Sequence, residues 1–157
     1  MKIEGTFTIG APRAIVWELL NDPQTLARTL PGCQGLVPTG PDRYETTITV
    51  GIAAIKGTYK GSVTIQDAKP LESYTLEVEG TGTSGFVRGK GTVSLVDQGS
   101  DTQVVANGEG QIGGPIATIG QRLIGTVAKM MLGDFFRRLD EEARRRLSRL
   151  PSRDRSL

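Results

Sequence analysis

The chain has 157 residues, 37% hydrophobic and 23% charged, with a net charge of +2, which is the size of one domain and the balance of a packed fold. It holds one cysteine and no histidine, which excludes an internal disulfide, a Ser-His-Asp or Cys-His nucleophilic site and the commonest metal ligand. No run of eighteen apolar residues offers a membrane span, and the N-terminus MKIEGTFTIG lacks the apolar stretch of a signal peptide. A cytoplasmic single domain without metal or cofactor is therefore expected.

In chain order, Ile3, Gly5, Phe7 and Ile9 alternate with Lys2, Glu4, Thr6 and Thr8, the pattern of a half-buried strand. Pro12 precedes Ile15, Val16, Leu19 and Leu20 at helical spacing, and Asn21-Asp22-Pro23 restarts a second short helix with Asp22 as its cap. Leu30-Pro31-Gly32 ends that helix. From residue 34 to 113 the period is two. Strands are expected before Pro38, over Tyr44–Val50, near 54–67, over Tyr74–Gly80, over Val87–Val96 and over Thr102–Ile112, with Gly51 a bend. Short connections make these an antiparallel meander. After Gly113-Gly114-Pro115 the period turns helical for about 36 residues, to Pro151. Asp140/Arg144, Glu141/Arg145 and Glu142/Arg146 stand at i,i+4 and support its distal part. The fold class read from this order is α+β: a curved sheet of about seven strands around a long C-terminal helix, with two short helices after the first strand. Residues 1–150 form the domain and 151–157 a frayed basic tail.

The core-facing side of the strands is short of side chains. The apolar parity runs Gly57, Tyr59, Gly61, Val63, Ile65; then Tyr74, Leu76, Val78, Gly80; then Val87, Gly89, Gly91, Val93, Leu95; and last Val104, Ala106, Gly108, Gly110, Ile112. Missing volume must be replaced by a close helix, by sheet curvature or by a ligand, because interiors pack at crystal-like density. The sequence leaves curvature and cavity both open. The long helix wants a partner too: its apolar residues, among them Leu123, Val127, Met130 and Met131, cover an arc of roughly 260° at about 100° per residue, where a surface helix needs little more than 100°. Asp134 falls in this arc. It is either a polar group at a cavity mouth or a residue where the helix passes beyond the sheet into water.

Residues 137–157 hold eight arginines and four acids, whereas residues 1–136 hold eleven basic and thirteen acidic groups. At about 1.5 Å per residue the helix outruns the domain, so its last turns are expected to project with Arg144, Arg145, Arg146 and Arg149. These would dock transiently on an anionic membrane surface or on a partner; the alternative is a solvated helix end. The body lacks the basic face with interleaved aromatics of a nucleic-acid binder.

Four stretches, MKIEGTFTIGAPRAIVWELLNDPQTLARTLPGC, TVGIAAIKGTYKG, SGFVRGKGTVSL and QIGGPIATIGQRLIGTVAKMM, strongly resemble the CoxG family of carbon monoxide dehydrogenase subunits, in the START-like (SRPBCC) superfamily. The resemblance implies the helix-grip fold and a hydrophobic cavity between sheet and helix. It also implies an accessory role that links a molybdenum-containing dehydrogenase to the membrane and its quinone pool, with a quinone or prenyl lipid in the cavity. Family members often continue into a longer tail that can meet the membrane. This chain ends in arginines without an apolar anchor; the expected location is cytoplasmic and peripheral to the inner face of the cell membrane.

From the inward parity and the helix arc, the expected ligand-binding residues are Tyr59, Gly61, Tyr74, Leu76, Gly89, Gly91, Val104, Gly108, Leu123, Val127, Met130 and Met131. The leading reading is a non-enzymatic carrier or adaptor for an apolar ligand. The alternatives are a ligand-free interaction module and a START-like enzyme of cyclase or hydrolase type. An enzyme needs convergent acid and base groups in the pocket, and the inward parity offers mainly tyrosines and glycines. Cys33 has no basic neighbour in sequence, so a reactive thiol is not expected.

Overall fold

A computed structural model describes residues 1–51 and 55–150. Strand β1 (Lys2–Ile9) alternates as expected, with Ile9 fully buried and Lys2, Glu4, Thr6 and Thr8 exposed. Pro12, at φ −62°, leads into α1 (Arg13–Leu20), which buries Ile15, Val16, Leu19 and Leu20. Helix α2 (Pro23–Thr29) starts on Asp22, whose carboxylate accepts the Gln24 backbone N–H at 3.3 Å and the Thr25 hydroxyl at 2.7 Å. These bonds satisfy donors that the first turn of a helix leaves free.

Strands β2 (Cys33–Gly40), β3 (Arg43–Val50), β4 (Gly57–Lys69), β5 (Ser73–Gly82), β6 (Gly85–Gln98) and β7 (Asp101–Gly113) form the meander. The seven-stranded sheet has the order β1-β7-β6-β5-β4-β3-β2, every pair antiparallel. The strand that the sequence places near 54–67 is described from Gly57; residue 54 and the tail 151–157 lie outside the described residues.

The predicted 36-residue helix is divided. Pro115–Ile119 is a 3-10 helix, and α3 (Gln121–Arg149) has 29 residues, about 44 Å of helix. Gly120, at φ +100°, separates the two; this left-handed backbone suits glycine and breaks the helical run. Helix α3 lies along β1 and against α1 and α2. Its last turns do not project, which corrects the length argument: Leu139 and Ala143 are fully buried, and Leu147 and Leu150 pack on the core. Helices α1 and α2 cover this half of α3, and Arg28 of α2 reaches Glu142 at 3.3 Å.

Candidate ligand cleft

Cross-strand register divides the concave side of the sheet into two halves. In the first, the rows are filled: Tyr74–Val93–Ala106–Gly5 and Leu95–Val104–Phe7. The Phe7 ring stacks on Phe136 of α3 with centroids 4.4 Å apart. Tyr74 and Val104 are core residues here, 4% and 0% exposed. In the second half the rows are Ile65–Leu76–Gly91–Gly108–Ile3, Tyr44–Val63–Val78–Gly89–Gly110 and Thr46–Gly61–Gly80–Val87–Ile112. Val78 is on the same side of β5 as Tyr74 yet is 37% exposed. The glycine half is open.

Most of these glycines serve curvature. A Cβ on Gly61 would stand 2.1 Å from the Glu79 carbonyl oxygen, one on Gly91 2.7 Å from that of Asn107, and one on Gly108 3.1 Å from that of Lys90. The neighbouring strand occupies the missing volume, as in a tightly coiled sheet. Gly89 differs, since its nearest neighbour is a side chain, Val78, at 3.1 Å. Gly80 alone of the row through Gly61 meets nothing within 4 Å. Coiling is therefore how the sheet wraps the space, and the space itself opens elsewhere.

It opens as a cleft of about 500 Å³ between α3, the end of β3 and the turn after α2. Its walls are Met130, Met131 and Gly133 of α3, Thr49, Val50 and Gly51 at the β3 end, and Pro31-Gly32. Gly32 is required at the base of the wall. Its φ is +74°, and a Cβ would lie 2.1 Å from the Thr49 carbonyl oxygen, while its own carbonyl accepts the Thr49 N–H at 2.9 Å. Asp134 and Arg137 complete the rim. The Asp134 carboxylate pairs with Arg137 at 2.5 Å and Arg138 at 3.2 Å. The Arg137 hydrogen bond holds its carboxyl below the usual carboxylate range. Asp134 thus marks the cleft's mouth.

Of the residues predicted from sequence, Met130 and Met131 meet in this cleft. Tyr59 is on the concave side, but its hydroxyl donates to the Ile55 carbonyl at 2.9 Å. Val127 is buried under α3, Leu76 packs against the core, and Leu123 is 43% exposed on the helix flank. Sequence reading missed Pro31, Gly32, Thr49, Val50 and Arg137. The inward parity of β3, where Thr46 and Val50 are buried, carried a signal for Val50. The meeting of β3 with α3 is a tertiary fact with no local mark.

Tyr74 adds a polar group. Burial raises its pKa, so the phenol stays neutral and a donor. The Trp17 ring meets it edge-on at 5.6 Å. Among the described residues its hydroxyl has no hydrogen-bond partner, and its oxygen is not fully occluded. The oxygen therefore faces space that water can reach, although the residue is only 4% exposed.

The distal arginines are spent on ion pairs. Arg144 binds Asp140 at 3.0 Å, Arg145 binds Glu142 at 3.2 Å, and Arg146 binds Glu18 of α1. Only the first is among the three i,i+4 pairs predicted; Glu141 pairs instead with Arg137 at 3.0 Å. Cys33 is half-buried beside the Thr46 hydroxyl at 3.3 Å. Among the described residues no group of His, Cys, Asp or Glu could hold a metal ion, and no helix is long and apolar enough to cross a membrane.

The model of the CoxG family of carbon monoxide dehydrogenase subunits matches residues 5–144. No curated protein matches the sequence. Among solved structures, a conserved protein from Geobacillus kaustophilus is similar with TM-score 0.90 and 34% identity, over 92% of this chain and 96% of that one. A START superfamily protein from Mycobacterium smegmatis is similar with TM-score 0.71 and 11% identity, over 92% and 97%. The Zhui aromatase/cyclase from Streptomyces sp. R1128 is similar with TM-score 0.71 and 17% identity, over 94% and 95%. The last two likenesses establish the START-like helix-grip fold.

Proposed function

The chain belongs to the CoxG family of carbon monoxide dehydrogenase subunits, and from that membership and the cleft we propose that it is a carrier for a hydrophobic ligand of the quinone or prenyl-lipid class. Family and fold suggest a hydrophobic-ligand-binding domain, and one observation carries the reading to this site. The cleft of about 500 Å³ has a wall of Met130, Met131 and Val50 with its charged groups confined to the rim. That volume is within the roughly 300–1,000 Å³ of small-molecule sites, which are mostly apolar with a few polar groups for orientation. Methionines adapt their shape to an apolar guest. Tyr74 supplies a neutral donor on the concave side for a ligand oxygen. In this role the protein presents its ligand to a molybdenum-type dehydrogenase and exchanges it with the membrane quinone pool.

The carrier reading is favoured over an enzyme of the cyclase type by the chemistry at the rim. Asp134 and Arg137 are the titratable groups that line the cleft, and each is bound to the other. Neither is free to exchange a proton with a guest near neutral pH. A short-chain prenylated quinone titrated into the protein should quench Trp17 fluorescence saturably at one equivalent. Met131→Glu, which puts a charge in the apolar wall, should weaken this at least about tenfold, since an uncompensated buried charge costs several kcal/mol. The absence of saturation, or equal affinity in the variant, would overturn the assignment.

A further inference from the structure

From Gln111 to Gly133 the chain carries two cations, Arg122 and Lys129, and no acidic residue. On the first half of α3, Leu123 and Met130 are 43% and 54% exposed. They stand seven residues apart, hence in one line along the helix, and Arg122 and Lys129 form a parallel line about 100° round. Both cations are exposed, and among the described residues neither has an ion-pair partner. The arginines at the other end of α3 are held by Asp140, Glu142 and Glu18. Met130 also lines the cleft.

An apolar line flanked by free cations on an acid-free helix face is the pattern that lies in the headgroup layer of an anionic bilayer. We propose that the first half of α3 docks on an anionic phospholipid surface, with Leu123 and Met130 among the headgroups and Arg122 and Lys129 on phosphates. Docking this way brings the cleft's mouth to the lipid. An apolar guest can then pass between bilayer and cleft without crossing water. The inference rests on the carrier reading and names the surface that serves the same site. It also moves the membrane contact away from Arg144–Arg149, whose nearest member is about 21 Å along the helix from Met130.

The test is co-sedimentation of the full chain with phosphatidylcholine vesicles, with and without phosphatidylglycerol, at low and moderate salt. The wild type should bind the anionic vesicles alone and release with salt. Leu123→Glu and the pair Arg122→Gln with Lys129→Gln should each lose about tenfold or more in binding, whereas Arg145→Gln with Arg149→Gln should stay within about twofold. Absence of wild-type binding, or a loss that follows Arg145 and Arg149 only, overturns the proposal; a wild type captured only by a protein partner does the same. Quinone uptake from detergent is measured on the same variants. Leu123, Arg122 and Lys129 do not line the cleft, so uptake should be unchanged in them. Uptake that fails in the wild type refutes the carrier reading, and vesicle binding then stands or falls separately.

Discussion

Tyr74 and Asp22 show how one side chain can report on site and stability separately. The Tyr74 hydroxyl has no protein partner to lose among the described residues, so Tyr74→Phe should leave thermal stability of the unliganded protein unchanged within about 0.5 kcal/mol. If the phenol holds a ligand oxygen, the variant's quinone affinity falls about 2- to 12-fold, the equivalent of about 0.5–1.5 kcal/mol for a neutral hydrogen bond. A melt and a titration on one preparation check both parts. Asp22 has the opposite character. The Thr25 hydroxyl bond is the main reason its folded pKa is below the ordinary 3.8. A depressed carboxyl adds stability that is present above its unfolded pKa and is lost as pH falls through the folded value. Asp22→Ala should therefore cost about 1 kcal/mol near neutral pH. That deficit should shrink toward zero below about pH 3.8, as denaturant titrations at several pH values would show. Asp22 was legible in sequence because a cap is a local signal. The state of Tyr74 was not, because parity shows that a tyrosine faces inward but not whether its hydroxyl finds a partner.

At the scale of elements, strands and short helices followed from period and punctuation, and the glycines were the ambiguous feature. Their inward parity was plain in sequence; whether they make room or make curvature depends on the distance to the next strand. Gly61 and Gly80 stand opposite one another in the ladder, yet a Cβ on Gly61 would meet backbone at 2.1 Å and one on Gly80 would meet nothing within 4 Å. Gly61→Ala should thus destabilise by about 1–3 kcal/mol, as forced overpacking does. Gly80→Ala should be nearly neutral, and paired chemical denaturation curves would separate the two. This replaces the expectation that larger residues at Gly61 and Gly108 would simply fill a cavity. The helix shows the same limit. Its apolar arc was readable, and Leu123 and Met130 do stand exposed on its flank. The break at Gly120 was missed because the apolar period continues across it while the backbone does not.

For the whole molecule, the two ends of α3 have different tasks. The distal half, with Phe136, Leu139 and Ala143 buried, locks the helix to α1, α2 and the filled rows of the sheet. The proximal half faces the glycine rows and the cleft. The family resemblance foretold the architecture and an apolar site. It could not place the mouth, which depends on Pro31-Gly32 and the β3 end reaching Met130 and Asp134 across the fold. Net charge also misled at this scale. An arginine-rich terminus reads as a docking element until its acids are seen to hold the nearest arginines in ion pairs. The central claim is that the cleft carries a hydrophobic ligand. Native mass spectrometry of the protein purified without detergent, before and after incubation with a prenylated quinone and followed by organic extraction, tests it most directly. The account predicts a one-to-one complex whose extracted guest is a quinone or prenyl lipid, and which Met131→Glu fails to retain. A bare chain that takes up no quinone, or a polar metabolite as the extracted guest, would contradict it.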